Sequence, residues 1–296
     1  MILIIGGTSQ VGLMLADLLN SVHEPFRCLV RESSRVEALE ARGAEWIYGD
    51  ADDPASLIQA LDGVDYLIHI AGLWKAGPAL DACEALGTVA RVVFVSSASR
   101  FTKLDSRDPR ERTLARSMAE AEDRIKASRV DCVILWAAMI YGLHLDRNIR
   151  QVIHWMRKWP VYPNFGLGRG LKNPVYAGDV AWAAWKCTLR ADLPRREYII
   201  AGKRPIRQKA LLSAIRAALG RRVWLAPVPV WLGYAGVFLY RRLYPDTHIN
   251  YAMVSRINEN SAHISVAAAE DFGYDPLPFE TGILRQVEHL KRIGEL

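Results

Sequence analysis

The residues most able to do chemistry stand together in Gly6-Gly-Thr-Ser-Gln-Val-Gly12. Ile2-Leu-Ile-Ile precedes this turn, and Val11, Leu13-Met-Leu15 and Leu18-Leu19 follow at helical spacing. A buried strand, a tight glycine turn and a helix make a phosphate cradle. Glycines let backbone N–H groups approach the anion, and the helix N-terminus favours its charge. Gly6, Thr8, Ser9, Gln10, Val11 and Gly12 are therefore the candidate pyrophosphate contacts. Metal chemistry has no comparable signal, because the seven histidines show no ligand spacing such as H-x-x-x-H. The four cysteines, at 28, 83, 132 and 187, lie far apart with no C-x-x-C pair. They read as buried free thiols in a reducing, cytoplasmic setting.

The elements that must position this turn alternate. Strands are expected at 2–5, 26–30, 44–48, 64–70, 91–96 and 130–136, with helices at 10–20, 33–41, 54–61, 77–86 and 109–128 between them. That alternation implies βαβ units and a parallel sheet, so the fold class is α/β, a Rossmann-like doubly wound sheet. After residue 142 the pattern changes to helices at 146–158, 179–189 and 207–219 with a short strand at 197–200. This divides the chain into a dinucleotide-binding body over 1–142 and a smaller, partly interleaved lobe over 143–296, mainly for substrate. Segment 160–174, rich in Pro and Gly, reads as a long loop roofing a cleft.

Composition sets the outer limits. The 296 residues are 51% hydrophobic, enough for a sizeable core, and carry a net charge of +6. Basic and acidic residues are interspersed, as in Glu120-Ala-Glu-Asp-Arg124, which argues against nucleic-acid binding. The opening apolar run is too short for a secretory signal, and no stretch of about 20 apolar residues is available to span a membrane.

Further along, the expected second strand ends Leu29-Val-Arg31-Glu32 and the third ends Gly49-Asp50-Ala51. The fourth ends His69-Ile-Ala71-Gly72 and the fifth Val95-Ser96-Ser97-Ala-Ser99. With the glycine turn, these resemble the extended and atypical short-chain dehydrogenase/reductase superfamily, of the NAD-dependent epimerase/dehydratase kind. Its members often read T-G-A-T-G-F-I-G at the turn. A downstream Pro174-Val-Tyr-Ala-Gly-Asp179-Val180 and the tail Gly273-Tyr-Asp-Pro276 extend the likeness over nearly the whole chain.

The resemblance implies a dinucleotide cofactor. Arg31 stands where NAD-type members carry an acid for the ribose 2′-hydroxyl, and a guanidinium suits a 2′-phosphate. NADP(H) is therefore favoured over NAD(H), with Glu32 the alternative group for a 2′-hydroxyl. Asp50 and Ala51 would lie by the adenine, Ala71 and Gly72 would pass close to the cofactor, and Ser96 would line it. Ser97 matches the substrate-orienting hydroxyl. His69 reads as a packed strand residue.

The catalytic half departs from the pattern. The superfamily's Y-x-x-x-K dyad would fall within Leu114-Ala-Arg-Ser-Met118-Ala-Glu-Ala-Glu122, so Leu114 and Met118 replace tyrosine and lysine. Neither transfers a proton at any pH. None of the 11 tyrosines has lysine four residues later. The substitute candidates are Ser97, Lys103, expected in a loop above the sheet, and Tyr141, at the end of the sixth strand.

Two function classes follow. One is an NAD(P)-dependent oxidoreductase or epimerase for a sugar-nucleotide or small carbonyl or hydroxyl substrate, with a non-standard site. The other is a catalytically silent dinucleotide binder, a sensor or assembly subunit, in which Leu114, Met118 and Trp136 fill the nicotinamide pocket. The apolar stretch Val230–Leu243 with its Arg241-Arg242 end reads as a lobe helix against the body, or as a surface for a membrane or a partner subunit. Trp155, Trp159, Trp182 and Trp185 read as lobe core, or as a hydrophobic substrate wall.

Overall fold

The computed structural model describes residues 1–106, 108–166, 168–244, 251, 254 and 259–296. Seven parallel strands form its main sheet. In chain order the first six are β1 (Ile2–Ile5), β2 (Phe26–Val30), β3 (Glu45–Tyr48), β4 (Tyr66–His69), β5 (Arg91–Ser97) and β6 (Cys132–Ala137). The spatial order is β11-β6-β5-β4-β1-β2-β3, where β11 is Glu197–Ile200. The reversal between β1 and β4 is the switch point of a Rossmann-like fold.

Alternate residues of each strand feed two cores, as the period of two requires. Ile2, Ile4, Cys28, Ile68, Val93 and Val133 face one side. There α1 (Gln10–Ser21) contributes Val11, Leu15 and Leu19, and α8 (Ala177–Leu189) contributes Val180, Ala183 and Ala184. The small side chains of α8 let it lie close against its neighbours. Leu3, Ile5, Leu29, Leu67, Val92 and Phe94 face the other side. They pack on α3 (Pro54–Ala60), α4 (Ala76–Leu86) and α6 (Pro109–Ala127). A third core joins α7 (Ile149–Lys158), α9 (Gln208–Leu219) and α12 (Phe279–Arg292) through Ile153, Met156, Leu212, Ile215, Ile283 and Val287.

The C-terminal half is tied into the sheet. β11 pairs with β6, and α8 covers the sheet beside α1. The buried Arg91, at the start of β5, donates from Nη1 to Cys187 O at 2.7 Å and to Arg190 O, and from Nη2 to Ala191 O at 3.1 Å. It caps the carbonyl end of α8 with a cation, the favourable sign for that helix end. All four cysteines are free and buried, and burial pushes each thiol up to about 12.

Three expectations are corrected. Segment 160–174 is not a structureless loop. β8 (Val161–Phe165) pairs in parallel with β13 (Trp224–Val228), and β9 (Leu171–Lys172) pairs antiparallel with β12 (Ile206–Arg207). The tryptophans do not form one cluster. Trp182 and Trp185 pack on the sheet core, whereas Trp155 and Trp159 are exposed. Helix α10 (Val230–Leu243) does not pack broadly against the body, since only Gly233 and Val237 along it are buried.

Candidate functional site

A parallel sheet puts the carboxyl ends of all its strands on one edge. The register aligns Ile5 with Leu29 and His69, His69 with Phe94, and Ser97 with Ala137. The glycine turn, Arg31, Asp50, Ala71-Gly72 and the Ser96-Ser97 end of β5 therefore lie along that edge.

The turn is built around two glycines. Gly6 has φ +92°, and a Cβ on it would lie 2.9 Å from the Ala71 backbone N. A Cβ on Gly12 would lie 2.5 Å from the carbonyl oxygens of both Gly6 and Gly7. Ser9 caps α1 by accepting the Gly12 N–H at 3.1 Å, and the first turn of α1 holds no acid. Gln10 donates to Ile140 O at 3.5 Å, while its Oε1 is buried with no partner among the described residues. That orphan acceptor suits a ligand hydroxyl. The anion-favouring helix end, the forced absence of side chains and the unmet acceptor fit a dinucleotide.

Arg31 is exposed and in no ion pair among the described residues. Its backbone N–H donates to Ser34 Oγ at 3.2 Å, which fixes the turn leaving β2. Asp50 is exposed and accepts the Asp52 N–H at 3.0 Å, and Asp52 pairs with Lys75. Asp53 caps α3 through the Ser56 N–H at 3.0 Å, with Pro54 in the first turn. A Cβ on Gly72 would lie 2.5 Å from the Trp74 ring, so a half-exposed indole lies over the end of β4. Trp74 had no signal in the sequence, because its position follows from the short 3₁₀ turn Leu73–Lys75.

Ser96 is turned away from the cleft. It is buried and donates to Glu122 Oε1 at 2.8 Å. Glu122, wholly buried on α6, also accepts from Trp136 Nε1 at 2.9 Å and pairs with Arg100 at 2.6 Å. Arg100 stacks 4.5 Å over Phe101, which meets Trp136 edge-on at 5.1 Å. Trp136 is thus held against α6. An acid inside the buried stripe Ala115, Met118, Glu122, Ile125 was the available clue to this network.

The network anchors α5 (Ser99–Lys103), the short helix leaving β5. Lys103 is therefore on a helix end rather than in a loop. It is partly buried and in no ion pair among the described residues. Ser97, half-buried, bonds Ser99 Oγ at 2.8 Å. At the dyad positions Leu114 is 37% exposed and Met118 is buried. Tyr141 is enclosed between Tyr176 and Phe279, and Gly282 lies against its hydroxyl. Burial pushes that hydroxyl far above its usual range, so Tyr141 is a packing residue rather than an acid. Among the described residues no group of side chains could hold a metal ion.

His69 is wholly buried at the end of β4, with neither ring nitrogen bonded, and burial lowers it from 6.5 to about 4. Above pH 6.5 it is neutral in both folded and unfolded chains. As pH falls from there toward about 4, only the unfolded chain takes the proton, so stability is lost on the acid side. The full loss is about 3 kcal/mol. His69→Phe should flatten this acid limb, read as a smaller drop in Tm between pH 6.5 and 4 than in the unaltered protein.

Residues 6–143 match the family model described as NAD(P)H-binding. The NAD(P)H azoreductase of Xenophilus azovorans is 26% identical over 223 residues, 75% of each chain. Among solved structures, a nucleoside-diphosphate-sugar epimerase from Pseudomonas aeruginosa has a TM-score of 0.77 at 18% identity, covering 100% of this chain and 98% of that one. UDP-glucose 4-epimerase from Thermotoga maritima has a TM-score of 0.75 at 16% identity, covering 99% of both. At these identities the structural likeness is one of fold.

Proposed function

We propose that this chain, whose residues 6–143 match the NAD(P)H-binding family model and whose fold resembles that of sugar-nucleotide epimerases, is an NADP(H)-dependent oxidoreductase. Its substrate is a small acceptor such as a carbonyl compound, and it works without the Tyr-Lys dyad. The observation that carries this reading is the union of the acid-free, glycine-built turn with the unpaired Arg31 at the adjoining strand end. The turn binds the pyrophosphate, and Arg31 binds the 2′-phosphate through its planar fork. When bound, the cofactor supplies or accepts a hydride.

The chain's own groups then hold and protonate the substrate. Ser97 Oγ donates a hydrogen bond to the substrate oxygen. Lys103, carried on a helix anchored by Arg100 and Glu122, protonates that oxygen as charge develops on it. The azoreductase relative supports a reductase over an epimerase.

Titration calorimetry tests the cofactor assignment. NADPH should bind more tightly than NADH, and Arg31→Ala should weaken NADPH alone by about ten- to a hundredfold, the worth of a charge-assisted phosphate contact. Equal affinities, or an unaltered NADPH affinity in Arg31→Ala, would refute it. The second reading, a silent dinucleotide binder, is favoured by the buried Met118 at the lysine position. Tight NADPH binding with no oxidation across a broad panel of carbonyl and azo acceptors would select it.

A further inference from the structure

Helix α10 (Val230–Leu243) stands out from the fold on a narrow seam. Gly233 sits against the buried Val254 and Phe165 of β8, where a Cβ would lie 3.0 Å from Val254 Cγ1 and 3.1 Å from the ring, and Val237 is the other buried residue of the helix. Opposite that seam Trp231 is 66% exposed, Phe238 61%, Leu239 58% and Leu243 65%, with Leu232 also exposed. At about 100° per residue these five cover roughly 140° of the circumference. That is wider than the apolar stripe of an ordinary surface helix. Tyr234 and Tyr240 border this face on either side.

We infer that α10 is an interfacial anchor that seats the protein on an anionic membrane surface. Charge supports that occupant. From Val228 to Tyr244 there is no acid, and the last turn carries Arg241, which lies 5.7 Å over the Tyr251 ring, and Arg242, which projects from within the apolar arc; both are exposed, and their charge matches lipid phosphates. The residue types support it too, because tyrosine and tryptophan sit with the ring in apolar surroundings and the polar tip in the headgroup layer. A facing protein helix or sheet would cover a narrower stripe, whereas acyl chains wrap the whole protruding face. Length fixes the mode of attachment. Fourteen residues make about 21 Å of helix, short of the roughly 30 Å hydrocarbon core. No described helix is long and apolar enough to cross a membrane. α10 therefore lies in the interface, tilted so that its N-terminal turns sit deeper and the arginines of its last turn reach phosphate level.

Vesicle flotation of the full chain is the test, with pure phosphatidylcholine and with phosphatidylcholine–phosphatidylglycerol vesicles. Binding to the anionic vesicles should exceed that to the neutral ones by at least about tenfold, given two arginines near the surface. Arg241→Gln with Arg242→Gln should erase that preference. Phe238→Asp with Leu239→Asp should abolish flotation in both while Tm and NADPH affinity stay unaltered, since both side chains are exposed. The inference is overturned if the unaltered protein floats with neither vesicle, or if the Phe238/Leu239 variant floats normally. It is also overturned by a concentration-dependent dimer that the same variant disperses, which would make a second copy the occupant. NADPH affinity in these variants reports on the nucleotide site separately, so failure here leaves the proposed function standing.

Discussion

Gly6→Val should abolish dinucleotide binding, weakening NADPH by at least about a hundredfold, the counterpart of about 3 kcal/mol. Two effects act at once. The residue holds φ +92°, which a β-branched side chain adopts only under strain of roughly 1–3 kcal/mol. Its Cβ would also lie 2.9 Å from Ala71 N and 3.2 Å from the Ile70 carbonyl carbon. Those are backbone atoms at the end of β4, with no rotamer to yield. The turn and the Ala71-Gly72 segment would be pushed apart, and both belong to the proposed nucleotide site. Ser9→Gly, three residues on, is the control. Glycine is itself an acceptable N-cap, so the cost is a few tenths of a kcal/mol and binding should persist. Calorimetry on the two variants, with thermal melts to follow folding, checks both. Normal binding by Gly6→Val would remove the phosphate-cradle assignment.

The second large effect is expected at Lys103. Once a turnover substrate is found, Lys103→Met should lower kcat by about 10²–10⁴-fold, the range of a displaced general acid, with NADPH affinity nearly unaltered. An unaltered kcat would end its assignment. Restoring the superfamily's dyad by Leu114→Tyr with Met118→Lys is the complementary experiment. Leu114 is partly exposed and can accept a ring, and position 118 is one helical turn from the Glu122 carboxylate, which offers a counter-ion. The double variant should show NADPH-dependent carbonyl reduction above the parent. A folded, NADPH-binding double variant that stays silent would mean the pocket has been reshaped for another use.

The sheet was legible because its strands are short apolar runs separated by helical spacing, a local signal. The seventh strand at 197–200 was legible as a strand but not as a neighbour of β6, since pairing across some 60 residues leaves no local trace. The same holds for β8 and β9, whose partners lie 63 and 35 residues away (224 − 161 and 206 − 171). Helix α2, expected over 33–41, shrinks to Glu37–Glu40, because Ser34 is taken into a turn with Arg31.

At the site, residue types gave the glycine turn its position, and the structure adds a second reason for Gly6. The sequence suggests a glycine there to let backbone N–H groups approach an anion, and the structure adds that the backbone just beyond β4 leaves no room for a Cβ. Ser96 and Trp136 read as facing the cofactor, yet a single buried carboxylate, Glu122, draws both toward α6. A charge in a helix's buried stripe foretells a partner without naming it. Tyr141 looked available from its place after β6, but the tail helix α12 closes over it.

The union of β11 with β6 also bears on how the chain comes to be folded during synthesis. While only the first 143 or so residues have emerged, β6 has an open outer edge of Val133, Ile134 and Leu135, and the sheet face beside α1 lacks its cover of Val180, Ala183 and Ala184. Such an edge is a template for pairing with another chain. The nascent N-terminal half should therefore be sticky until about residue 200 is available, and a fragment cut after residue 143 should aggregate where the full chain does not. The stretch that matches the NAD(P)H-binding family model should therefore not be a unit of folding on its own.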